Sequence, residues 1–251
     1  PATEVVYDWT PDGGLVFTAG GIEGINRATR LYSTKATGGL PTPMPVPYGA
    51  NGTVSPDGEW LAYTPHSIDN RTWKRYRGGM QTDIWLYNLK TGESKLVTDW
   101  EGIDTLPMWS GSTLYYLSDR SSDPKAPNKL NIWSYDSKSG ATRQVTTFTD
   151  EDVKWPSIGG REIVFQKGTK LMVLDVDSGK TREVQVSIPG DRPAVRPRME
   201  DVSGQIQGAS ISPTGKRVAV AARGDVWSAP AENGVPLNLS RTVDVAERTP
   251  A

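Results

Sequence analysis

The 251-residue sequence predicts an all-β protein, a β-propeller with about five four-stranded antiparallel blades in an incomplete or truncated array. Three observations predict it. A tight turn recurs five times, as Thr10-Pro11-Asp12-Gly13, Ser55-Pro56-Asp57-Gly58, Ser110-Gly111, Ser157-Ile158-Gly159-Gly160 and Ser212-Pro213-Thr214-Gly215. The last glycines of these turns lie 45, 53, 49 and 55 residues apart, and repeats of about 40–50 residues built from short strands are the period of propeller blades. Each turn is followed within its unit by a second glycine turn, and no stretch carries a sustained helical pattern. A blade cannot bury its apolar face alone, so the period fixes the architecture.

The elements follow in the same order in each unit. An inner strand leads into the first turn; Trp9, Val54, Trp109 and Ile211 sit one residue before its Ser or Thr, and Trp155 sits two before. Ser or Thr at the first turn position, Pro at the second and Gly at the fourth suit a type I turn, because Pro presets φ near −65°. A second, apolar strand comes next: Leu15-Val16-Phe17, Trp60-Leu61-Ala62-Tyr63, Leu114-Tyr115-Tyr116-Leu117, Ile163-Val164-Phe165 and Val218-Ala219-Val220. The third strand sets one polar residue before an apolar run, led by Arg30, Asp83, Asn131, Lys170 and Asp225. Glycine hairpin turns at Gly38-Gly39, Gly92, Gly140, Gly179 and Gly234 then lead to polar outer strands such as Ser94-Lys95-Leu96-Val97-Thr98. Apolar inside and polar at the rim is the gradient a blade requires.

Two stretches break the rhythm. An insertion at 65–82 carries Arg71, Lys74, Arg75 and Arg77 against a single Asp69, and a proline-stiffened stretch follows Pro189. The expected organisation is four blades in 1–190, a linker in 191–203, and one further blade plus the start of the next inner strand in 204–251. The chain opens at Pro1 and stops inside a recurring phrase at 245–251, so it reads as a piece of a longer array.

Composition narrows the function classes. Lys plus Arg number 28 and Asp plus Glu 29, a formal charge of −1, so no global field favours nucleic acid or an anionic membrane. No run approaches the roughly 18 apolar residues of a membrane span. With no cysteine there is no disulfide framework and no thiolate metal site, which fits a reducing cytoplasm. The 9 Trp and 9 Tyr against 3 Phe suit half-buried strands, where one ring edge is packed and the other is wet.

The Ser-Pro-Asp-Gly turns, Asp83-Ile84-Trp85-Leu86-Tyr87, Leu117-Ser118-Asp119-Arg120, Val153-Lys154-Trp155-Pro156-Ser157 and Ser212-Pro213-Thr214-Gly215-Lys216-Arg217 together resemble the tricorn-type serine peptidases. The ordered set, with Arg71-Thr72-Trp73-Lys74-Arg75-Tyr76-Arg77-Gly78-Gly79 and Ile188-Pro189-Gly190-Asp191, spans essentially the whole chain. The resemblance implies a large cytoplasmic peptidase with a six-bladed and a seven-bladed propeller ahead of a catalytic half. It makes the first four units the last four blades of the six-bladed ring, and the fifth unit the first blade of the next. The family's first two blades have no counterpart here, which leaves three outcomes open: the five units close, stay open, or assemble with another copy.

No catalytic residue carries over, because nothing in the chain matches the catalytic half. The chain has one histidine, His66, and no Gly-x-Ser-x-Gly elbow, so a serine nucleophile lacks an evident base. Asp119, Asp136, Asp150, Glu151 and Asp152 offer carboxylates without metal-ligand spacing, and the glycines open no phosphate-binding helix. No metal or cofactor is expected. The basic insertion is the functional signal. By the resemblance Lys74 and Arg75, with Arg77 nearby, would hold the C-terminal carboxylate of a bound peptide, for which a guanidinium fork and a point charge are suited; as an ordinary loop the same residues would be solvated or pack a subunit. The expected function is a non-catalytic propeller segment that channels or gates peptides, with peptides and the remaining domains of the parent peptidase as partners. The rival is a free-standing TolB-like propeller that binds a protein.

Overall fold

A computed structural model describes residues 4–19, 29–67, 76, 78–190, 198–242 and 245–250. The chain divides into two units, Pro1–Gln185 and Val186–Ala251. Among the described residues, twenty strands form five separate four-stranded sheets, all antiparallel, and no sheet closes on itself. The architecture is an incomplete β-propeller array. No helix among the described residues is long and apolar enough to cross a membrane.

The first unit holds four blades, each paired in simple chain order. Blade 1 is β1 (Glu4–Trp9), β2 (Gly14–Ala19), β3 (Arg30–Lys35) and β4 (Thr42–Pro43). Blade 2 is β5 (Ala50–Val54), β6 (Trp60–Thr64), β7 (Trp85–Asn88) and β8 (Ser94–Leu96). Blade 3 is β9 (Asp104–Ser110), β10 (Thr113–Ser118), β11 (Asn131–Asp136) and β12 (Thr142–Gln144). Blade 4 is β13 (Val153–Gly159), β14 (Glu162–Lys167), β15 (Lys170–Asp175) and β16 (Thr181–Glu183). All the apolar second strands expected from the sequence form, and the outer strands are short and exposed.

Three cores join these blades face to face, because alternate residues of a strand point to opposite faces. Val16 and Leu31 of blade 1 meet Val54, Leu61 and Tyr63 of blade 2. Ala62, Ile84 and Leu86 meet Trp109, Leu114, Tyr116 and Trp133. Met108, Tyr115, Leu117 and Ile132 meet Ile163, Phe165 and Leu174. Approach at the first of these is close: a Cβ on Gly52 would lie 2.9 Å from both Leu31 Cδ atoms. Glycine there is a packing requirement.

The first turn is held by its hydroxyl as well as by its proline. Ser55 Oγ accepts from Trp60 N at 2.9 Å and donates to Asp57 Oδ1 at 2.5 Å, while Gly58 takes φ 70°. Thr10 and Ser212 bind their own turns through Gly14 N and Arg217 N in the same way. Blades 3 and 4 depart from this. Ser110 pairs with Thr113 and Gly159 with Glu162, so each turn there is a two-residue hairpin. Ser157 therefore lies inside β13, opposite Val164. Ile158, opposite Ile163, takes the place that Trp109 holds opposite Leu114, and Trp155 sits three residues further back. The equivalence of Trp155 with Trp109 expected from the sequence is corrected accordingly; without the proline and aspartate, the turn needs fewer residues.

The polar residue at, or just before, the start of the third strand has a definite task. Thr98, Thr146 and Ser240 each stand fifteen residues after Asp83, Asn131 and Asp225. Each hydroxyl accepts from the backbone N–H of Ile84, Ile132 or Val226, at 2.9, 2.9 and 3.0 Å. Each donates to the side-chain oxygen of the paired Asp or Asn, at 3.5, 2.9 and 3.2 Å. The outer strand is thereby fastened to the third strand where ladder pairing has ended.

The second unit has one blade: β17 (Ile206–Ile211), β18 (Arg217–Ala222), β19 (Asp225–Pro230) and β20 (Leu237–Asn238), preceded by a 3-10 turn at Ser203–Gln205. Glu200 pairs with Arg198 at 2.8 Å and Arg223 at 2.9 Å. Residues 245–250 form no strand, but Glu247 N donates to Gly224 O at 2.8 Å and Pro250 lies beside Gly208. Of the expected linker, 191–197 lie outside the described residues.

Candidate functional site

The inner strands β1, β5, β9 and β13 lie side by side in chain order, so their bends and edges are presented together. In β5, β9 and β13 two residues oppose one on the partner strand: Asn51 and Gly52, Leu106 and Pro107, Trp155 and Pro156. The first of each pair has positive φ, at 52°, 51° and 51°. A side-chain-bearing residue pays roughly 1–2 kcal/mol for that conformation, so its recurrence at one place in three blades marks the bulge as a property of the repeat. β1 has its irregularity between Val6 and Asp8. A bulge bends the strand and re-aims its side chains.

The re-aimed polar groups tie blade to blade. The Thr53 hydroxyl donates to Asp8 Oδ2, and Asp8 Oδ1 accepts from Trp9 N at 2.8 Å. Asn51 Nδ2 donates to Thr64 Oγ1 at 3.2 Å and to Thr105 Oγ1 of the third blade at 3.1 Å. Between the strands is a small pocket of about 70 Å³, with Asn51, Thr53, Leu106, Met108 and Ser157 in its wall. At the turn end of the same strands a larger one, about 380 Å³, is walled by Trp9, Val54, Pro56, Trp109 and Ile158. Asp8 lines both, and among the described residues it is the one charged residue lining either. A wider cleft of about 710 Å³ opens beside the first turn, with Asp12 and Lys35 both in its wall.

A second polar cluster is built where β9 begins. Asp119 Oδ1 accepts from Trp100 Nε1 at 2.8 Å and from Ile103 N at 2.9 Å. Gly102 must be glycine for this, since a Cβ would lie 1.9 Å from that oxygen. Asp104 is fully buried, and neither of its carboxylate oxygens has a hydrogen-bond partner among the described residues. Burial pushes its pKa up to about 6; the Ser118 and Thr98 hydroxyls, near it but outside good hydrogen-bond geometry, and the charge of Arg120 act against the rise, and that of Asp83 adds to it. Arg120 lies over the Trp133 ring at 4.3 Å and donates to Tyr116 Oη at 3.0 Å. This cluster is structural, a buried charge network between the second and third blades.

Lys74, Arg75 and Arg77 lie outside the described residues. His66 stacks on Tyr48 with ring centroids 5.5 Å apart, and its carbonyl accepts from Thr64. The carboxylates singled out in the sequence do not converge: Asp119 braces its loop, Asp136 accepts from Ser139 N at 2.7 Å, Asp150 pairs with Lys167 at 2.6 Å, and Asp152 accepts from Leu130 N at 2.9 Å. Among the described residues no three His, Cys, Asp or Glu are grouped to hold a metal. Sequence reading missed Asp8 and Asn51. Their only signal was a polar residue inside an inner strand, which is common in half-exposed strands.

Comparison with known proteins gives a consistent picture. The family model described as "Tricorn protease N-terminal beta propeller domain" matches residues 1–180. The "Tricorn protease homolog" of Saccharolobus solfataricus is 24% identical over 220 residues, covering 88% of this chain and 20% of the relative. The chain spans between 15% and 22% of the length of the curated relatives it matches. Among solved structures, that of the tricorn protease superposes with a TM-score of 0.63 at 22% identity, covering 96% of this chain and 22% of the other. TolB from Acinetobacter baumannii gives 0.54 at 20% identity, covering 90% and 51%. These two likenesses are of fold.

Proposed function

Because the chain belongs to the family of tricorn protease N-terminal β-propeller domains, we propose that it is a non-catalytic propeller segment of a larger serine peptidase, guiding peptides to or from an active site elsewhere in that protein. The observation that carries this reading is the row of bulged inner strands, which lines up pockets along one seam while the scattered carboxylates and the stacked His66 form no acid–base constellation. Peptides, the remaining domains of the parent peptidase and another copy of the chain belong to the same proposal as partners, and a cytoplasmic setting as its location. Lys74 and Arg75, with Arg77, are proposed to hold a peptide's C-terminal carboxylate.

Photo-cross-linking in the parent peptidase tests the reading. A benzoylphenylalanine placed at exposed Ser157, which lines the seam, should trap substrate peptide during turnover, whereas one at exposed Arg182 on the outer strand should not. Equal labelling at the two positions would sink the conduit reading and favour a propeller that serves only as scaffold.

A further inference from the structure

The larger pocket at the turn end of the inner strands has a definite chemistry. Trp9 is 61% exposed at its edge, and Val54, Pro56, Trp109 and Ile158 complete a wall that among the described residues holds no cation. Asp8 is the single charge there among the described residues, and again in the smaller pocket between the same strands. Its carboxylate is fixed by the Thr53 hydroxyl and by Trp9 N. A carboxylate has about four acceptor sites, and these two bonds leave it with capacity to spare.

We propose that this pocket receives the basic side chain, lysine or arginine, of an extended peptide passing the inner strands. The proposal rests on the conduit reading and adds to it the side-chain class preferred at the mouth. Long basic side chains lay an apolar stem along hydrophobic surface while the charged head seeks a counter-ion. Indole and proline surfaces suit the stem, an indole face attracts the cation, and Asp8 supplies the opposite charge. An acidic side chain would meet Asp8 with no compensating cation among the described residues of the wall. A neutral apolar side chain would gain the wall contacts alone.

The test is calorimetric titration of the 251-residue chain with three capped pentapeptides, carrying lysine, norleucine or glutamate between alanines. The lysine peptide is expected to bind about tenfold tighter than the norleucine peptide, a difference of about 1.4 kcal/mol, and the glutamate peptide most weakly. Asp8→Asn should abolish the preference, and added salt should reduce it. Trp9→Ala, at an exposed position that leaves the blade cores intact, should weaken binding of the lysine and norleucine peptides alike. Equal affinity for lysine and norleucine, a preference that survives Asp8→Asn, binding untouched by Trp9→Ala, or no binding of any peptide would each overturn the proposal. The cross-linking contrast between Ser157 and Arg182 does not depend on peptide charge, so the conduit reading stands or falls separately.

Discussion

At Asp104 a desolvation penalty is only partly offset by the Ser118 and Thr98 hydroxyls and the Arg120 charge, and that imbalance has a measurable sign. The carboxyl is neutral in folded and unfolded chains well below pH 4. Between about pH 4 and 6 the unfolded chain loses this proton while the folded chain keeps it, so stability falls as pH rises through the folded value of about 6. The loss is on the order of 2–3 kcal/mol at one pK unit per 1.36 kcal/mol. Asp83, also raised by burial, acts in the same direction. Asp104→Asn should therefore raise the melting temperature at pH 7.5 more than at pH 4.5. A gain of equal size at both pH values would mean that the folded carboxyl carries no penalty. Asp119, in the same cluster, shows the contrasting solution at its Oδ1, with two donors and a glycine that clears space for them.

The hydroxyl fastening sets the stability of the outer strand in three of the blades. Thr146→Val keeps the shape of the side chain but orphans the buried Ile132 N–H and removes the donor to Asn131. A loss of about 1–3 kcal/mol is expected in denaturant unfolding, against a few tenths for Thr142→Val on the exposed start of the same strand. Equal losses would show that the hydroxyl contributes nothing beyond packing. Much of this layer was legible in the sequence: the apolar second strands announced themselves by solid hydrophobic runs, and Gly13 and Gly58 by their turns. The leading Asp83, Asn131 and Asp225 stood out as polar residues before apolar runs, but their partners lay fifteen residues on, beyond any local pattern. The bulges at Leu106 and Trp155 were hidden for a related reason, since positive φ at a leucine or tryptophan is imposed by pairing across strands. Ser157 misled because a Ser followed by two glycines has turn composition, whereas its register with Val164 is settled by the neighbouring strand. The pocket around Asp8 was illegible because it is assembled from four blades about fifty residues apart.

Within the first unit, one sheet meets the next through side chains, so strength accrues blade by blade. The role proposed for the basic insertion belongs at this scale, because a peptide carboxylate held at one blade would matter only if the rest of the protein cut the peptide. Lys74→Ala with Arg75→Ala should lower cleavage efficiency in the parent peptidase roughly tenfold, the worth of a charge-assisted contact of about 1.4 kcal/mol, with unchanged thermal unfolding. Unaltered turnover together with unaltered preference for peptide length would remove these residues from substrate binding. The fifteen-residue hydroxyl fastening carries a consequence for ancestry. It closes inside one blade and borrows nothing from the neighbours, so a duplicated stretch of gene would deliver a daughter blade with its clasp already complete. Mutation would then have only the two flat faces left to tailor, and such arrays could lengthen one cassette at a time.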